Sequence, residues 1–540
     1  MGYSQKPLAP QPDTDRQQPP QPPIMADTLN RFGGHVLVPE RAGTVRGRRV
    51  NPTAYVGNEL LVQGSLRQDS LATLIEAARS TGHEIGASGT APQKRKDYID
   101  TLTETALSEL ADKVWVTRFR LRTDPESTSP PPDAWTVLQK YRELVGEDEP
   151  EVTVGLNHLI SLTGDIHGQP YVTGPSAGGV PYVTGPGGGG VPYVTGPGTG
   201  GVPYVTGPGL GGRAPVTWLG LPPTPVASAV QTRRPVVAVL DTGLGKHDWL
   251  EAPHATLGAV VNGHTIGLPL QVPDAESEGI ADELQGGLDR DAGHGTFIAG
   301  IIRQVCPDAT VLAIRVMPSG GVVDEHQLTI ALNMLLVRQA HAQLTGDVTG
   351  VVDVLSLSLG YYHETPDDVQ FSGVLGGTLQ SFGELGVAVV TAAGNDATTT
   401  PMFPAGLASR TRGTDQRRDA IPLVSVGALN PSGTIAIFSN AGDWVSCHRP
   451  GSNVVSTIPT TFDGSLQPQV ATRDGRSSID PDNYTSGFGI WSGTSFAAPV
   501  LAAEIAGRLL ESGTLDDISP ASGVTRGWQA IHDQVGWVRP

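Results

Sequence analysis

Five short, almost uninterrupted apolar runs constrain the fold more than anything else in the chain. They are Pro235 to Leu240, Thr310 to Val316, Val351 to Ser358, Val387 to Ala392 and Leu423 to Ala428. Each has strand length, and none alternates as a strand wetted on one face would. Such runs are strands buried on both faces. Segments with helical spacing separate them: His294 to Arg303, Glu325 to Gln343, Leu375 to Gly386 and Thr494 to Leu510. The alternation predicts an α/β fold, with a mostly parallel sheet covered by helices on both sides.

Three polar segments sit at the ends of these elements. Asp241 closes the first run and is followed by Thr-Gly, a tight turn. A carboxylate at the C-terminal edge of a parallel strand lies where open sheets build their sites. His294 opens a helix between Gly293 and Gly295-Thr296, and Ser495 lies in the first turn of a helix after Gly493-Thr494. Unpaired backbone amides at a helix start favour negative charge nearby. A serine hydroxyl becomes a nucleophile only beside a base, and a neutral imidazole is such a base. Taken singly, Asp-Thr-Gly, His-Gly-Thr and Gly-Thr-Ser are ordinary turns and caps. The order Asp, His, Ser, with each residue at an element's end, makes a proton-relay constellation.

With those residues quoted, the chain from about Pro235 to Leu510 resembles the subtilisin-like serine peptidases of family S8. The resemblance rests on Val-Leu-Asp-Thr-Gly at Val239, Gly-His-Gly-Thr-Phe-Ile-Ala-Gly at Gly293, Leu-Ser-Leu-Gly at Leu357, Ala-Ala-Gly-Asn at Ala392 and Gly-Thr-Ser-Phe-Ala-Ala-Pro at Gly493. It implies the subtilisin-like three-layer fold and a serine endopeptidase acting on protein or peptide substrates. It also implies Asp241, His294 and Ser495 as the triad and Asn395 as a donor to the oxyanion. Ser358, Leu359, Gly360 and Gly394 are implied as the substrate-binding edge, where an extended peptide would add a strand. Structural calcium occurs in many relatives, but its ligands cannot be assigned here, and no other cofactor is expected. Two alternatives compete: a peptide-binding module without turnover, and a lipase-like hydrolase. The intact triad weighs against the first. The motif order, with no Gly-x-Ser-x-Gly around Ser495, weighs against the second. The interval from Asp241 to His294 is long for the family and carries an acidic stretch, Asp274 to Asp291. It reads as a surface insertion near the cleft, a solvated loop in preference to a device that favours basic substrates.

Upstream, residues 1–23 are rich in Pro and Gln and read as a disordered tail. Residues 24–165 read as a small α+β domain. Its strands are Tyr55 to Gln63, Lys113 to Arg122 and Val152 to Leu162, and its helices are Ser70 to Arg79 and Pro132 to Val145. Gly82 to Asp97 reads as a loop. The order is similar to the N-terminal propeptides of the family, which block the cleft in cis; a recruitment domain is the other reading. Pro-Tyr-Val-Thr-Gly-Pro recurs at Pro170, Pro181, Pro192 and Pro203. Each copy is too rich in Gly to offset its ordering entropy, so residues 166–213 read as a linker, with a reach of about 40 Å. The peptidase domain then covers residues 214–540.

Charge and cysteine usage narrow the setting. The excess of 54 Asp and Glu over 36 Lys and Arg disfavours nucleic acid and anionic membrane as partners. The two cysteines, Cys306 and Cys447, read as free thiols in a reducing compartment. No apolar leader is visible, and the cytoplasm is the expected location.

Overall fold

The computed structural model describes residues 24, 26–45, 47–64, 68–87, 102–123, 130–146, 152–162, 213–226, 233–269, 272–282, 286–365, 374–408, 416–468 and 470–540. The N-terminal tail and the repeat segment lie outside them. The sheet built from these runs has seven strands, all parallel. Their spatial order is Ala255–Leu257, Thr310–Arg315, Val236–Asp241, Val354–Leu357, Ala388–Ala392, Val424–Leu429 and Cys447–Pro450. The first strand in the chain therefore lies between the third and the fourth. That reversal is where a doubly wound sheet opens a crevice at its C-terminal edge, and Asp241 is the last residue of that strand.

The five apolar runs all become strands of this sheet, and their side chains divide by parity. Val237 and Val239 enter one core with Phe297, Ile301, Phe496 and Leu501. Ala238 and Leu240 enter the other, with Leu332, Leu335, Leu379 and Phe382. Helices His294–Val305 and Thr494–Glu511 thus cover one face, and Glu325–Thr345 and Val374–Glu384 the other. With both faces buried, every position is apolar, which explains the missing alternation. One run splits. Val354–Leu357 stays in the sheet, while Leu359–Tyr362 turns away to pair elsewhere.

The N-terminal unit is an antiparallel sheet in the order Thr153–Leu162, Thr53–Gln63, Val116–Thr123, His83–Ala87. Helices Gln68–Ser80 and Ala134–Val145 pack on one face through Leu74, Ala77, Trp135, Leu138 and Tyr141. Asp133 caps the second helix by accepting from the Thr136 amide at 3.2 Å. Two readings of this unit need correction. His83–Ala87 is an edge strand rather than loop; with one face exposed, it needs few apolar residues. Lys113 and Val114 end a helix, Thr105–Val114, before the strand begins at Val116. Val114 is buried as the helix's last core contact, so its alternation with Val116 crosses an element boundary.

The second face of this sheet lies on the larger unit. Leu61 and Val116 meet Val374, and Ile160 and Leu162 enter the core built on the Glu325–Thr345 helix. Strand Thr153–Leu162 is held on both flanks. Val322–Asp324 pairs with Leu159 to Ser161, and Leu359–Tyr362 pairs antiparallel, with Gly360 opposite Ser161 and Leu359 opposite Leu162. The amide of Leu162 also donates to the Gly321 carbonyl at 3.2 Å.

Candidate active site

Gly293 caps the His294 helix with φ +84°, the left-handed region that favours glycine. Gly295 then packs its Cα so closely on the turn after Asp241 that a Cβ would strike the Gly243 carbonyl. The helix start is thereby pressed against the end of the Asp241 strand. Nδ1 of His294 lies 2.7 Å from Oδ1 of Asp241. The Thr242 amide donates to the same oxygen at 2.8 Å. Both residues are buried. Since a carboxylate only accepts, Nδ1 carries the hydrogen, and Nε2 faces the other way. Nε2 is buried with no hydrogen-bond partner among the described residues.

Aromatic rings wall the imidazole. Trp491 stands edge-on at 5.5 Å between centroids, and Phe496 lies tilted at 5.3 Å. Burial opposes a charge on His294. The neighbouring charge and hydrogen bond of Asp241 outweigh it, and the imidazole binds its proton more tightly than a free histidine.

Ser495 precedes Phe496 in the first turn of its helix and is buried. Its position follows from a proline. Pro499, four residues on, has no N–H to give to the Ser495 carbonyl. The hydroxyl of Ser358 takes that place, donating to the Ser495 carbonyl at 2.9 Å, while Oγ of Ser495 lies 3.5 Å from the Ser358 carbonyl. The strand that would hold substrate is thus tied to the serine itself.

Asn395 follows Gly394, whose φ is +102° and whose Cβ would strike Asn440. Oδ1 of Asn395 accepts from the amide and hydroxyl of Thr494, at 2.8 and 2.9 Å. Those two donors fix which end of the side chain is the acceptor, so its NH2 end is the one that can donate. Thr494 in turn accepts from the Gly394 amide at 3.0 Å. Asp241 and His294 are thus in direct contact, the His294 ring meets Phe496, the residue after Ser495, Asn395 holds Thr494, the residue before it, and Ser358 is bonded to Ser495 itself.

Sequence reasoning missed two features. The acidic stretch is not a solvated loop throughout: Glu276, Asp289 and Asp291 are buried. Oε1 of Glu276 accepts from the Thr242 hydroxyl and from the Gly295 amide, the latter at 3.0 Å; Oε2 accepts from the Thr296 hydroxyl. Asp289 accepts from the amides of Asp291 and Gly320. Backbone amides and threonine hydroxyls replace the water that Glu276 and Asp289 give up. The spacing Thr242, Thr296 and Glu276 carried no local signal.

The other is an ionic cluster where the two units meet. His158, on strand Thr153–Leu162, places Nδ1 at 2.6 Å from Glu325 and Nε2 at 2.9 Å from Glu364. Arg142 donates to Glu364 at 2.9 Å. Burial disfavours the charge, but the two carboxylates prevail and push the imidazole of His158 up to about 9. His363, beside them, is lowered to about 4, chiefly by burial.

Residues 232–522 match the model of the subtilase family, more than half of the chain. The chain belongs to the subtilase family. The subtilase region is 26% identical over 255 residues to the minor extracellular protease Epr of Bacillus subtilis, covering 45% of this chain and 30% of that protease. It is 27% identical over 188 residues to the major intracellular serine protease of the same organism, covering 32% and 49%. The chain thus spans less than half of each relative. Among solved structures, fervidolysin from Fervidobacterium pennivorans, a keratinolytic enzyme related to subtilisin, aligns over 85% of this chain and 55% of its own, with 18% identity and a TM-score of 0.43. Among the described residues no helix is long and apolar enough to cross a membrane, and both cysteines are free thiols.

Proposed function

We propose that this subtilase is a serine endopeptidase whose own N-terminal unit occupies its substrate groove. Ser495 attacks the scissile carbonyl and gives its proton to Nε2 of His294. Asp241 holds the Nδ1–H tautomer and stabilises the imidazolium. The Asn395 amide and the Ser495 N–H receive the oxyanion. His294 then protonates the leaving amine, and water repeats the sequence on the acyl-enzyme. One observation carries the reading. A fully buried imidazole has one nitrogen on a carboxylate at 2.7 Å and the other without a hydrogen-bond partner among the described residues, in the cluster that holds Ser495.

The register of strand Thr153–Leu162 supports the occupied groove. Ser161 faces Gly360 and Leu162 faces Leu359, so the strand advances residue by residue toward Ser358 and the serine bonded to it. The free thiols of Cys306 and Cys447 suit the cytoplasm as the proposed compartment. A fluorophosphonate probe is expected to leave one adduct, on Ser495. Ser495→Ala should give none and lose about 10⁶ in kcat, the figure for subtilisin's nucleophile. Equal peptide turnover by the two proteins would reject the assignment. Separately produced residues 24–165 should slow a catalytic domain that lacks them; unchanged activity would turn the account toward recruitment.

A further inference from the structure

We propose that Glu276 is a positioning residue for the His294–Asp241 pair, acting through the Thr242 hydroxyl and through its own negative charge. The proposal rests on the peptidase reading of the site and assigns a role to a carboxylate that the relay itself does not use.

The Thr242 hydroxyl has one hydrogen and two acidic neighbours. Oδ1 of Asp241 lies 3.2 Å away, and Oε1 of Glu276 lies closer. As a carboxylate, Glu276 collects three donors: the Thr242 hydroxyl, the Thr296 hydroxyl and the amide of Gly295, the residue after His294. Oδ1 of Asp241 is then left to the Nδ1–H of His294 and the Thr242 amide. A proton on Glu276 reverses this. Its carboxyl becomes a donor, and the Thr242 hydroxyl turns to Oδ1 of Asp241, where it competes with the imidazole. Neutralising Glu276 also removes a negative charge from behind the pair. Both effects weaken the hold on the imidazolium.

The charged groups around Glu276 come from four elements. They are Asp241 on its strand, His294 on its helix, Asp274 on the same segment, and Arg315 on strand Thr310–Arg315, whose Nη1 lies 3.7 Å from Asp274. Asp291 adds its charge to His294 from the residues before the helix. Burial is the largest influence on Glu276, and with the charges of Asp241 and Asp274 it raises the carboxyl to about 7 despite the threonine hydrogen bonds. The change of state therefore falls near neutral pH.

Glu276→Gln keeps the size of the side chain and an acceptor for Thr242, but loses the charge. The measurement is the titration of His294 in the full chain, followed by NMR of 15N-labelled histidine and by the low-field proton on its Asp241 bond. Glu276→Gln should lower the proton affinity of His294 about tenfold, one pH unit, from a unit charge removed at this range. The acid limb of kcat/KM should move to lower pH by the same amount. Thr296→Val retains every charge but takes one donor from the Glu276 carboxylate; it should shift His294 the same way by less, and it serves if Glu276→Gln does not fold. A purely structural carboxylate would change melting and leave the titration alone. An unmoved His294 titration in the folded variant overturns the proposal. If the titration moves while wild type neither labels nor turns over peptide, the peptidase reading fails and the role of Glu276 on the pair stands.

Discussion

His158 and His294 are both fully buried imidazoles with a carboxylate oxygen at 2.6 to 2.7 Å. They differ at the second nitrogen. His158 gives both nitrogens to carboxylates, Glu325 on one side and Glu364 on the other. Carboxylates only accept, so both nitrogens carry hydrogen and the ring is a fixed cation. With Arg142 it balances two glutamates, and the four charges close a neutral cluster between the units. His294 gives one nitrogen away and keeps the other without a hydrogen-bond partner among the described residues. Held by two acceptors, the side chain suits a fastener; held by one, it suits the proposed base.

The comparison breaks first at His294. His294→Ala should lower kcat by about 10⁶, the loss expected when one member of a relay acting as a unit is removed. Docking of the N-terminal unit should be unchanged. Peptide turnover and the melting temperature read the two effects separately, and a residual activity within a hundredfold of wild type would count against the relay. His158→Leu should do the reverse. It leaves Glu325 and Glu364 with one cation instead of two, a change that costs about 3–5 kcal/mol when a buried pair is broken. Hydrogen exchange along Thr153–Leu162 and Leu359–Tyr362 should accelerate by about two to three powers of ten, with fluorophosphonate labelling of Ser495 speeding up alongside. Equal exchange in the two proteins would mean that the cluster does not fasten the units.

Changing pH tests both rings in one protein. Docking raises the His158 imidazole to about 9, above the ordinary histidine value. The stabilisation it brings is whole below about pH 6.5 and is lost as pH rises through 9, a change of roughly 3 kcal/mol. Burial opposes the charge on Glu364, but the cations beside it hold it well below the usual carboxylate range, and with His363 neutral in that window the pairing with His158 and Arg142 keeps it charged. His294 works in the opposite role: its raised proton affinity means that the base is lost as pH falls. Alkaline pH should therefore both free the groove and keep the base unprotonated. The rate of fluorophosphonate labelling should rise from pH 7 to 9.5 in wild type and rise less in His158→Leu. A parallel rise in both would assign the effect elsewhere.

What could be read in advance follows from the range of each interaction. Asp241, His294, Asn395 and Ser495 stood out because each lies in a local segment whose turn or cap shapes the residues beside it. The five strands stood out because burial on both faces leaves a mark at every position. His83–Ala87 stayed hidden because an edge strand, with Glu84 and Gly86 turned outward, leaves that mark at only alternate positions. Glu276 looked like solvated acid because the groups that satisfy it, Thr242 and Thr296, come from distant parts of the chain. The His158 cluster is the extreme case. Its glutamates lie 167 and 206 positions away, and no spacing on strand Thr153–Leu162 announces them.

The smallest expected effect concerns Ser358, which lies between the docked strand Thr153–Leu162 and the Ser495 helix. Its hydroxyl supplies the hydrogen bond that Pro499 denies the Ser495 carbonyl. Ser358→Ala removes that hydrogen bond from the first turn of the Ser495 helix, at a cost of about 0.5–1.5 kcal/mol. It leaves the Ser358 carbonyl, 3.5 Å from Oγ of Ser495, in the chain. In the proposed mechanism the helix start fixes the nucleophile and one oxyanion donor, so a shift there should lower kcat by about tenfold and alter KM little. Pairing of Leu359 and Gly360 with an extended peptide uses backbone that the substitution keeps. A fall in kcat with KM and hydrogen exchange of Leu359–Tyr362 unchanged would show that the serine is positioned through its carbonyl. A rise in KM at constant kcat would instead show that the hydroxyl shapes the groove, and would separate the strand from the nucleophile it borders.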